Sequence, residues 1–221
     1  MLKTALKSTA IAGFALAISS SVAMAGVVGF TTNSQSLGID ECLFFPGTCV
    51  VLDAADIPNP VAANPNDDML KVWKEVGPLT LASDLTVDTA AGGGTTISAG
   101  TAIESYMLQF DSDGAGSIET GIEFSTEVLG LITSTGLLAS TDALLGAPGI
   151  TYNTFNNRGL EGNDDVDFGA DAFSVDIFMR TTRPGDWVRV ITAAEVPEPG
   201  SLALLGTALL GLGLSRKRAR R

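Results

Sequence analysis

Two short stretches of the chain gather side chains that could bind a divalent cation. The first places Asp111 and Asp113 at alternate positions and follows them with glycines that allow a tight turn, as a calcium loop requires. An EF-hand is excluded, because Ile122 occupies the twelfth position, where a carboxylate is needed. A looser Ca²⁺ site at a turn between two strands and a solvated hairpin turn both stay open.

The second stretch is the denser acidic segment between residues 161 and 171. Its carboxylates repel one another, and a hard cation such as Ca²⁺ would relieve that repulsion. The metal ligands predicted in this segment are Asp164, Asp165, Asp167 and Asp171. Calcium-binding repeats need stacked copies, and only one imperfect copy exists, so an acidic surface loop is the alternative.

Paired carboxylates could also hydrolyse a glycosidic bond, which needs two of them several ångströms apart. The candidate pairs are Glu119 with Glu123 and Asp111 with Asp186. The chain has no histidine, which excludes Ser-His-Asp and Cys-His catalysis and histidine-ligated metal sites. We therefore assign no catalytic residue and keep a hydrolase as the alternative to a non-enzymatic protein.

The charge of the chain is distributed unevenly. Seven of the 13 basic residues lie in the first 25 or the last 26 positions, so residues 26–195 hold 24 acidic and six basic side chains, a net charge of −18. We call residues 26–195 the body. Its field repels phosphate backbones, which excludes nucleic acid as a partner and favours divalent cations or basic partners.

The first 25 residues have the parts of a secretory signal peptide. Lys3 and Lys7 precede a short apolar run, and small residues precede the bond between Ala25 and Gly26. The apolar run is too short to span a bilayer about 30 Å thick. We expect signal peptidase to cleave this bond during export, and an uncleaved amphipathic anchor is the alternative.

The last 26 residues have three parts in a fixed order. Pro197-Glu198-Pro199 comes first, and its prolines keep the segment extended. Residues 201–214 then form an apolar run that predicts a hydrophobic helix, shorter than the roughly 20 residues of an ordinary membrane span. The basic residues that follow favour the cytoplasmic side of a membrane; they are Arg216, Lys217, Arg218, Arg220 and Arg221.

This three-part tail resembles the PEP-CTERM sorting signal of Gram-negative bacteria. The resemblance implies recognition by an exosortase, an integral-membrane cysteine transpeptidase, and removal of the tail near Pro197, Glu198 and Pro199. The body would then reach the cell surface or the extracellular polymer layer, after a stage in which the tail anchors it transiently in the membrane. An ordinary tail anchor, which would keep the body at the inner membrane, is the alternative.

The body alternates between apolar and polar residues along several short segments. With turn signals between them and no long helix, about eight strands predict an all-β fold, an antiparallel β-sandwich with jelly-roll-like packing. Residues 140–145 predict a single helical turn, residues 69–76 fit either a helix or a strand, and Arg189 is expected in an ion pair at a strand edge. The predicted strands cover residues 79–87, 103–110, 118–124, 128–133, 173–179 and 187–193.

The only two cysteines lie near the start of the body. Export to an oxidising compartment favours a disulfide between Cys42 and Cys49, because a metal site lacks further ligands and a redox pair usually has a two-residue gap. The predicted organisation is a signal peptide at 1–25, a loop-rich segment with the disulfide at 26–66, a β-sandwich at 67–195 and a sorting signal at 196–221.

Residues 102–192 resemble a passenger domain that recurs in front of PEP-CTERM tails. The likeness lies in segments such as Glu104-Ser105-Tyr106-Met107-Leu108-Gln109-Phe110-Asp111. Gln109 stands where such passengers often have a histidine, so no role of that histidine carries over. The resemblance implies an extracellular β-rich domain. We expect a non-enzymatic surface or biofilm-matrix protein, associated with exopolysaccharide and Ca²⁺.

Overall fold

The structure, a computed structural model, describes residues 26–32, 35–37, 48–62, 68–153, 156–181 and 185–195. Within these residues strands predominate and one helix occurs, so the predicted all-β class is confirmed. The elements are β1 (Val27–Thr32), β2 (Gln35–Leu37), β3 (Thr48–Leu52), β4 (Met69–Thr80), β5 (Leu85–Thr86), β6 (Thr89–Ala90), β7 (Thr96–Ile97), β8 (Ala102–Asp111), β9 (Gly116–Phe124), β10 (Val128–Ile132), α1 (Thr135–Leu145), β11 (Asp165–Phe168), β12 (Ser174–Thr181) and β13 (Asp186–Ala193).

The strands form two large sheets and one small one. The five-stranded sheet has the order β11-β12-β9-β1-β2, and the six-stranded sheet has the order β3-β4-β8-β13-β10-β6. Neighbouring strands are antiparallel in both sheets, except that β3 runs parallel to β4. The short strands β5 and β7 pair with each other.

One apolar cluster contains buried residues of both large sheets. Phe30 and Ile122 come from the five-stranded sheet, and Leu108 and Val188 come from the six-stranded sheet. A shared cluster of this kind is what face-to-face packing of two sheets produces. Along β9, Ile118 is buried between the exposed Ser117 and Glu119, as a strand with one solvated face requires, whereas Gly121 is buried beside Ile122.

A second apolar cluster covers the opposite face of the six-stranded sheet. Trp73, Met107 and Trp187 on the sheet pack with Leu138 and Leu145 of α1. These two leucines are seven residues apart, about two helical turns, so both face the sheet. The predicted single turn at 140–145 is therefore wrong: the helix begins earlier, directly after Ser134, because Leu138 belongs to the same buried stripe.

Two further expectations are resolved by the strand pairing. Residues 69–76, which fitted either a helix or a strand, lie in β4, which pairs with β8. The predicted strand over residues 79–87 is wrong, because β4 ends at Thr80 and β5 contains only two residues. Between them the Asp84 carboxylate accepts a hydrogen bond from the backbone N–H of Ala99, which joins this connection to the segment after β7.

The segment that composition marks as loop-rich contributes strands to both large sheets. β1 pairs with β9, and β3 lies beside β4. Cys49 is buried on β3, whereas Cys42 lies outside the described residues, so the disulfide stays a prediction. Among the described residues, no helix is long and apolar enough to cross a membrane, and residues 1–25 and 201–214 lie outside this part of the chain.

Candidate functional site

The predicted first residue of the mature chain is bonded into the body. The backbone N–H of Gly26 donates to Ser125 Oγ at 2.9 Å, and the carbonyl of Gly26 accepts from the backbone N–H of Ser125 at 2.9 Å. Ser125 directly follows β9, and Val27 pairs with Phe124 at the end of that strand. Ala25, on the other side of the predicted cleavage bond, lies outside the described residues.

The last described residues leave the body at the same end. The backbone N–H of Ala193 donates to the carbonyl of Glu127 at 2.7 Å, and that of Ala194 donates to the carbonyl of Ala102 at 2.9 Å. Ser125 and Glu127 are two residues apart, which is at most about 7 Å. The chain therefore enters and leaves the body side by side. We call this surface the exit end, formed by Gly26, Ser125, Glu127, Ala194 and Glu195.

The other predicted processing residues follow the exit end in sequence. Pro197, Glu198 and Pro199 lie outside the described residues, as do the basic residues Arg216, Lys217, Arg218, Arg220 and Arg221. Their predicted roles rest on sequence alone. What the structure adds is the place at which this tail departs, next to Glu195.

The first predicted calcium stretch lies at the opposite end of the body, where β8 ends. Asp111 is fully buried as the last residue of β8, and its carbonyl accepts from the backbone N–H of Asp68 at 3.1 Å. The exposed Asp113 donates its backbone N–H to Asp68 Oδ1 at 2.9 Å. Asp68 thus closes the turn with its own carboxylate, a partner that the sequence pattern did not indicate.

The structure does bring Asp111 and Asp186 to the same end of neighbouring strands. Asp186 pairs with Phe110, the residue before Asp111, and only 3% of it is exposed. Burial, first of all, and then the negative charges of Asp164, Glu161 and Asp111 together raise the pKa of Asp186 to about 8. At neutral pH this carboxyl is therefore mostly protonated.

Burial argues against a catalytic role for this carboxyl pair. Asp111 has no exposed surface, and Asp186 Oδ2 is a buried atom with no hydrogen-bond partner among the described residues. A polymeric substrate would need to reach both carboxyl groups directly. The two carboxyl groups therefore lie in the interior, where Asp186 holds a proton at neutral pH.

The predicted calcium ligands of the second stretch, residues 161–171, do not converge on one point. Both carboxylate oxygens of Asp164 accept backbone N–H groups, Oδ2 from Glu161 at 2.7 Å and Oδ1 from Arg180 at 2.8 Å. Asp165 and Asp167 are exposed on β11. Asp164 therefore closes a turn beside β12, and the other two face outward on the edge strand.

Asp171 lies at the far side of the same segment. Its Oδ1 accepts from the backbone N–H of Phe173 at 2.9 Å and from the hydroxyl of Ser174 at 2.8 Å. These bonds, first of all the one from Phe173, lower the pKa of Asp171. Among the described residues, no group of three or more carboxylates or thiols is placed to hold a metal ion, so calcium binding stays a prediction.

The other predicted hydrolase pair lies on β9, where Glu119 is exposed and Glu123 is half-buried. Glu119 and Glu123 are four residues apart on β9, so their backbones are separated by about 13 Å. Glycosidases hold their two carboxyl groups about 5–9.5 Å apart across the scissile bond. The backbone spacing along β9 exceeds that range, so the two side chains would have to lean toward each other for their carboxyl groups to reach it.

Sequence reasoning missed a polar network between the six-stranded sheet and α1. Arg189 donates from Nε and Nη2 to the two carboxylate oxygens of Glu75, at 2.6 and 2.8 Å, and from Nη2 to Asp142 at 2.9 Å. Arg158 binds the same Asp142 carboxylate at 2.6 and 2.9 Å. Two arginines thus neutralise two carboxylates, which is how buried charges are tolerated.

The expected strand-edge position of Arg189 is wrong. β13 lies between β8 and β10, and the side chain of Arg189 is fully buried because α1 covers that face of the sheet. The guanidinium of Arg158 stacks 4.4 Å from the ring centre of Trp187, and Tyr152 lies beside both. This assembly holds α1, Tyr152 and Arg158 on the sheet, so its role is structural.

The comparisons with known proteins bear on the tail. A family model for the PEP-CTERM protein-sorting motif matches residues 195–218. Neither the curated proteins nor the solved structures include a match to the chain. The matched motif starts at Glu195, the last residue of the exit end, and it implies export and exosortase-mediated delivery to the surface or the extracellular space. The chain thus carries a PEP-CTERM protein-sorting motif at its C-terminus.

Proposed function

We propose that the body is a non-enzymatic component of the cell surface or extracellular matrix, released there from its sorting tail. The observation that carries this proposal is the position of the sorting motif. It begins at residue 195, whereas the last strand ends at Ala193. Removal of the tail would therefore leave every strand and every hydrogen bond of the described body in place.

Intact mass and cell fraction of the mature protein test this proposal most directly. In the host, we expect a chain that begins at Gly26, lacks Arg216 to Arg221 and occurs at the surface or in the medium. In a strain without the exosortase, the chain should keep these residues and stay with the membrane fraction. A full-length chain, with Arg221, dissolved in the cytosol would overturn the proposal.

Contact with exopolysaccharide is the finer part of the proposal. On the outer face of the five-stranded sheet, the half-buried Phe178 pairs with Asp165 on one side and with Glu119 on the other. An aromatic face beside carboxylate acceptors supports contact with neutral sugar rings, which have apolar faces and hydroxyl donors. Phe178→Ala should weaken retention of the body on immobilised host exopolysaccharide, whereas Phe173→Ala serves as the matched control.

The same polysaccharide separates this proposal from the hydrolase alternative. We expect no new reducing ends when the purified body is incubated with it. Release of reducing ends that is lost in Glu119→Gln and Glu123→Gln, but kept in Glu127→Gln, would favour the hydrolase.

Calcium binding is tested by thermal unfolding. A ligand that binds only the folded state stabilises it by about 2.7 kcal/mol at a hundredfold excess over its dissociation constant. A melting temperature that is higher in millimolar Ca²⁺ than in chelator would support a site at the acidic turns. Equal temperatures would count against a tight site there.

A further inference from the structure

We propose that the exit end lies against the membrane surface while the tail is still attached, so that the turn after Asp111 faces away from the membrane. This inference rests on the proposed sorting of the chain through its tail. It adds the orientation of the body and names the surface that contacts lipid.

The length of the connection limits how the body can lie. Five residues separate Glu195 from the apolar run at residues 201–214, and they span at most about 20 Å. β8 has ten residues and is about 33 Å long, and it runs from the exit end to Asp111. The connection is shorter than the body, so it keeps the exit end within about 20 Å of the bilayer, and the side chains at that end then decide which surface meets the lipid.

Two exposed apolar side chains lie at the exit end. Val28 and Phe173 are each 47% exposed, and they are two of the four large apolar side chains with substantial exposure among the described residues. Val28 follows Val27, the partner of Phe124, and the carbonyl of Phe173 accepts from the backbone N–H of Phe124 at 2.8 Å. They therefore flank the end of β9 on both sides, about 10 Å apart.

The charges beside these side chains indicate the kind of lipid surface. Glu127 is exposed at the exit end, and Glu195 is half-exposed where the tail departs. Carboxylates are repelled by anionic headgroups but can bind the ammonium groups of phosphatidylethanolamine. Exposed apolar side chains such as Val28 and Phe173 fit the boundary between headgroups and acyl chains. The partner is thus a bilayer surface rich in phosphatidylethanolamine.

Photo-crosslinking from two phenylalanines of the same part of the chain tests this orientation. A benzoyl-phenylalanine residue replaces Phe173 at the exit end or, as the matched control, Phe178 on the outer face of the sheet. The chain with its tail is bound to vesicles of phosphatidylethanolamine with a minor share of phosphatidylglycerol, and lipid adducts are quantified by mass spectrometry. We expect several-fold more adduct at position 173 than at 178, and loss of both adducts when the tail is absent.

The outcomes separate this inference from the proposed function. Vesicle-bound chain with equal adducts, or with no adduct at position 173, overturns the orientation and leaves sorting untouched. A chain that does not bind vesicles overturns the anchored stage together with this proposal. In native membranes, a position-173 adduct to a protein in place of lipid would overturn lipid contact and assign the exit end to a protein partner.

Discussion

Arg189 and Glu75 form a doubly hydrogen-bonded ion pair, with both side chains fully buried, although 114 residues separate them in the chain. Glu75 is also bound by the hydroxyl of Ser105 at 2.7 Å. The pair connects β4 to β13 through the side-chain layer above β8. Its location between the sheet and α1 makes it the main polar determinant of how the helix is placed.

Removing one partner of this pair should be strongly destabilising. Arg189→Met leaves the Glu75 carboxylate buried without its counter-charge, which costs about 3–5 kcal/mol. Chemical denaturation of the body measures the loss. Arg180→Met, at an exposed arginine of β12, should change stability by less than about 0.5 kcal/mol.

The double variant Arg189→Met with Glu75→Leu distinguishes a lost charge balance from lost packing. Replacing both charges by apolar side chains of similar size is often neutral, so it should recover much of the stability. A double variant that is as unstable as Arg189→Met alone would contradict this account, and the bonds of Arg189 to α1 would then be the larger contribution.

The pKa of Asp186 predicts how stability depends on pH. The pKa is about 8 in the folded body, well above the ordinary value of 3.8 for an aspartate, so the folded state holds a proton that the unfolded state releases. This contribution is fully present below pH 4 and is lost as the pH rises through 8. Each unit of pKa difference that is titrated corresponds to about 1.4 kcal/mol.

Asp186→Asn should remove this dependence, because the amide has a similar shape and no charge. We expect the variant to melt at a higher temperature than the natural body at pH 8, with a flatter profile between pH 5 and 9. Asp113→Asn, at an exposed aspartate near the same end, should leave the profile unchanged. A natural body whose stability rises over this pH range would contradict the prediction.

Gly159 and Gly162 should respond differently to replacement by alanine. A Cβ at Gly159 would collide with the carbonyl oxygen of Thr133 and lie 2.6 Å from the backbone nitrogen of Thr135, whereas nothing lies within 4 Å of a Cβ at Gly162. Overpacking against backbone costs about 1–3 kcal/mol. Gly159→Ala should therefore lower the denaturation midpoint, and Gly162→Ala should not; equal midpoints would contradict the close packing.

Sequence patterns predicted those elements that have one solvated face. Along β9, Ile118 is buried between the exposed Ser117 and Glu119, and this alternation is visible because the outer face of the sheet is solvated there. Along β8, Ser105 and Gln109 are buried as well, because the second cluster covers the other face. When a helix distant in sequence buries a polar residue, the sequence around that residue does not indicate the burial.

In the candidate site, too, some features could be predicted from the sequence and others could not. The sorting tail is recognisable because its order of motif, apolar run and basic end is local. The neighbours of Asp164 and Asp171 were not predictable, since an aspartate that binds backbone N–H groups has the same sequence signature as a metal ligand. Likewise, Arg189 offers no hint in its own segment that Glu75 is its partner.

Asp164 tests which of these two roles the acidic segment has. Asp164→Ala removes the acceptor for the backbone N–H groups of Glu161 and Arg180. It should therefore lower the free energy of unfolding by roughly 1–2 kcal/mol, and with it the melting temperature, even in chelator. Asp165→Ala, at the exposed neighbour, is the control. A loss that occurs only when Ca²⁺ is present would contradict the turn-closing role and favour a metal ligand.

The proximity of the two chain ends can be tested without a membrane. Gly26 and Ala193 are bonded to Ser125 and Glu127, which are two residues apart, so a flexible linker of about eight residues should join Glu195 to Gly26 without strain. New ends between Gly114 and Ala115 lie in the exposed turn after β8, where chain breaks are tolerated. We expect this permutant to unfold cooperatively near the natural melting temperature.

The same linker with new ends between Asn157 and Arg158 is the matched control. It should fail to fold or be much less stable, because Arg158 is fully buried and its carbonyl accepts from the backbone N–H of Trp187 at 3.0 Å. If the first permutant were as unstable as the second, the linker itself would be strained. The chain would then not enter and leave the body side by side. The bond before Gly26 and the segment around Pro197 could not both face one membrane surface at the exit end.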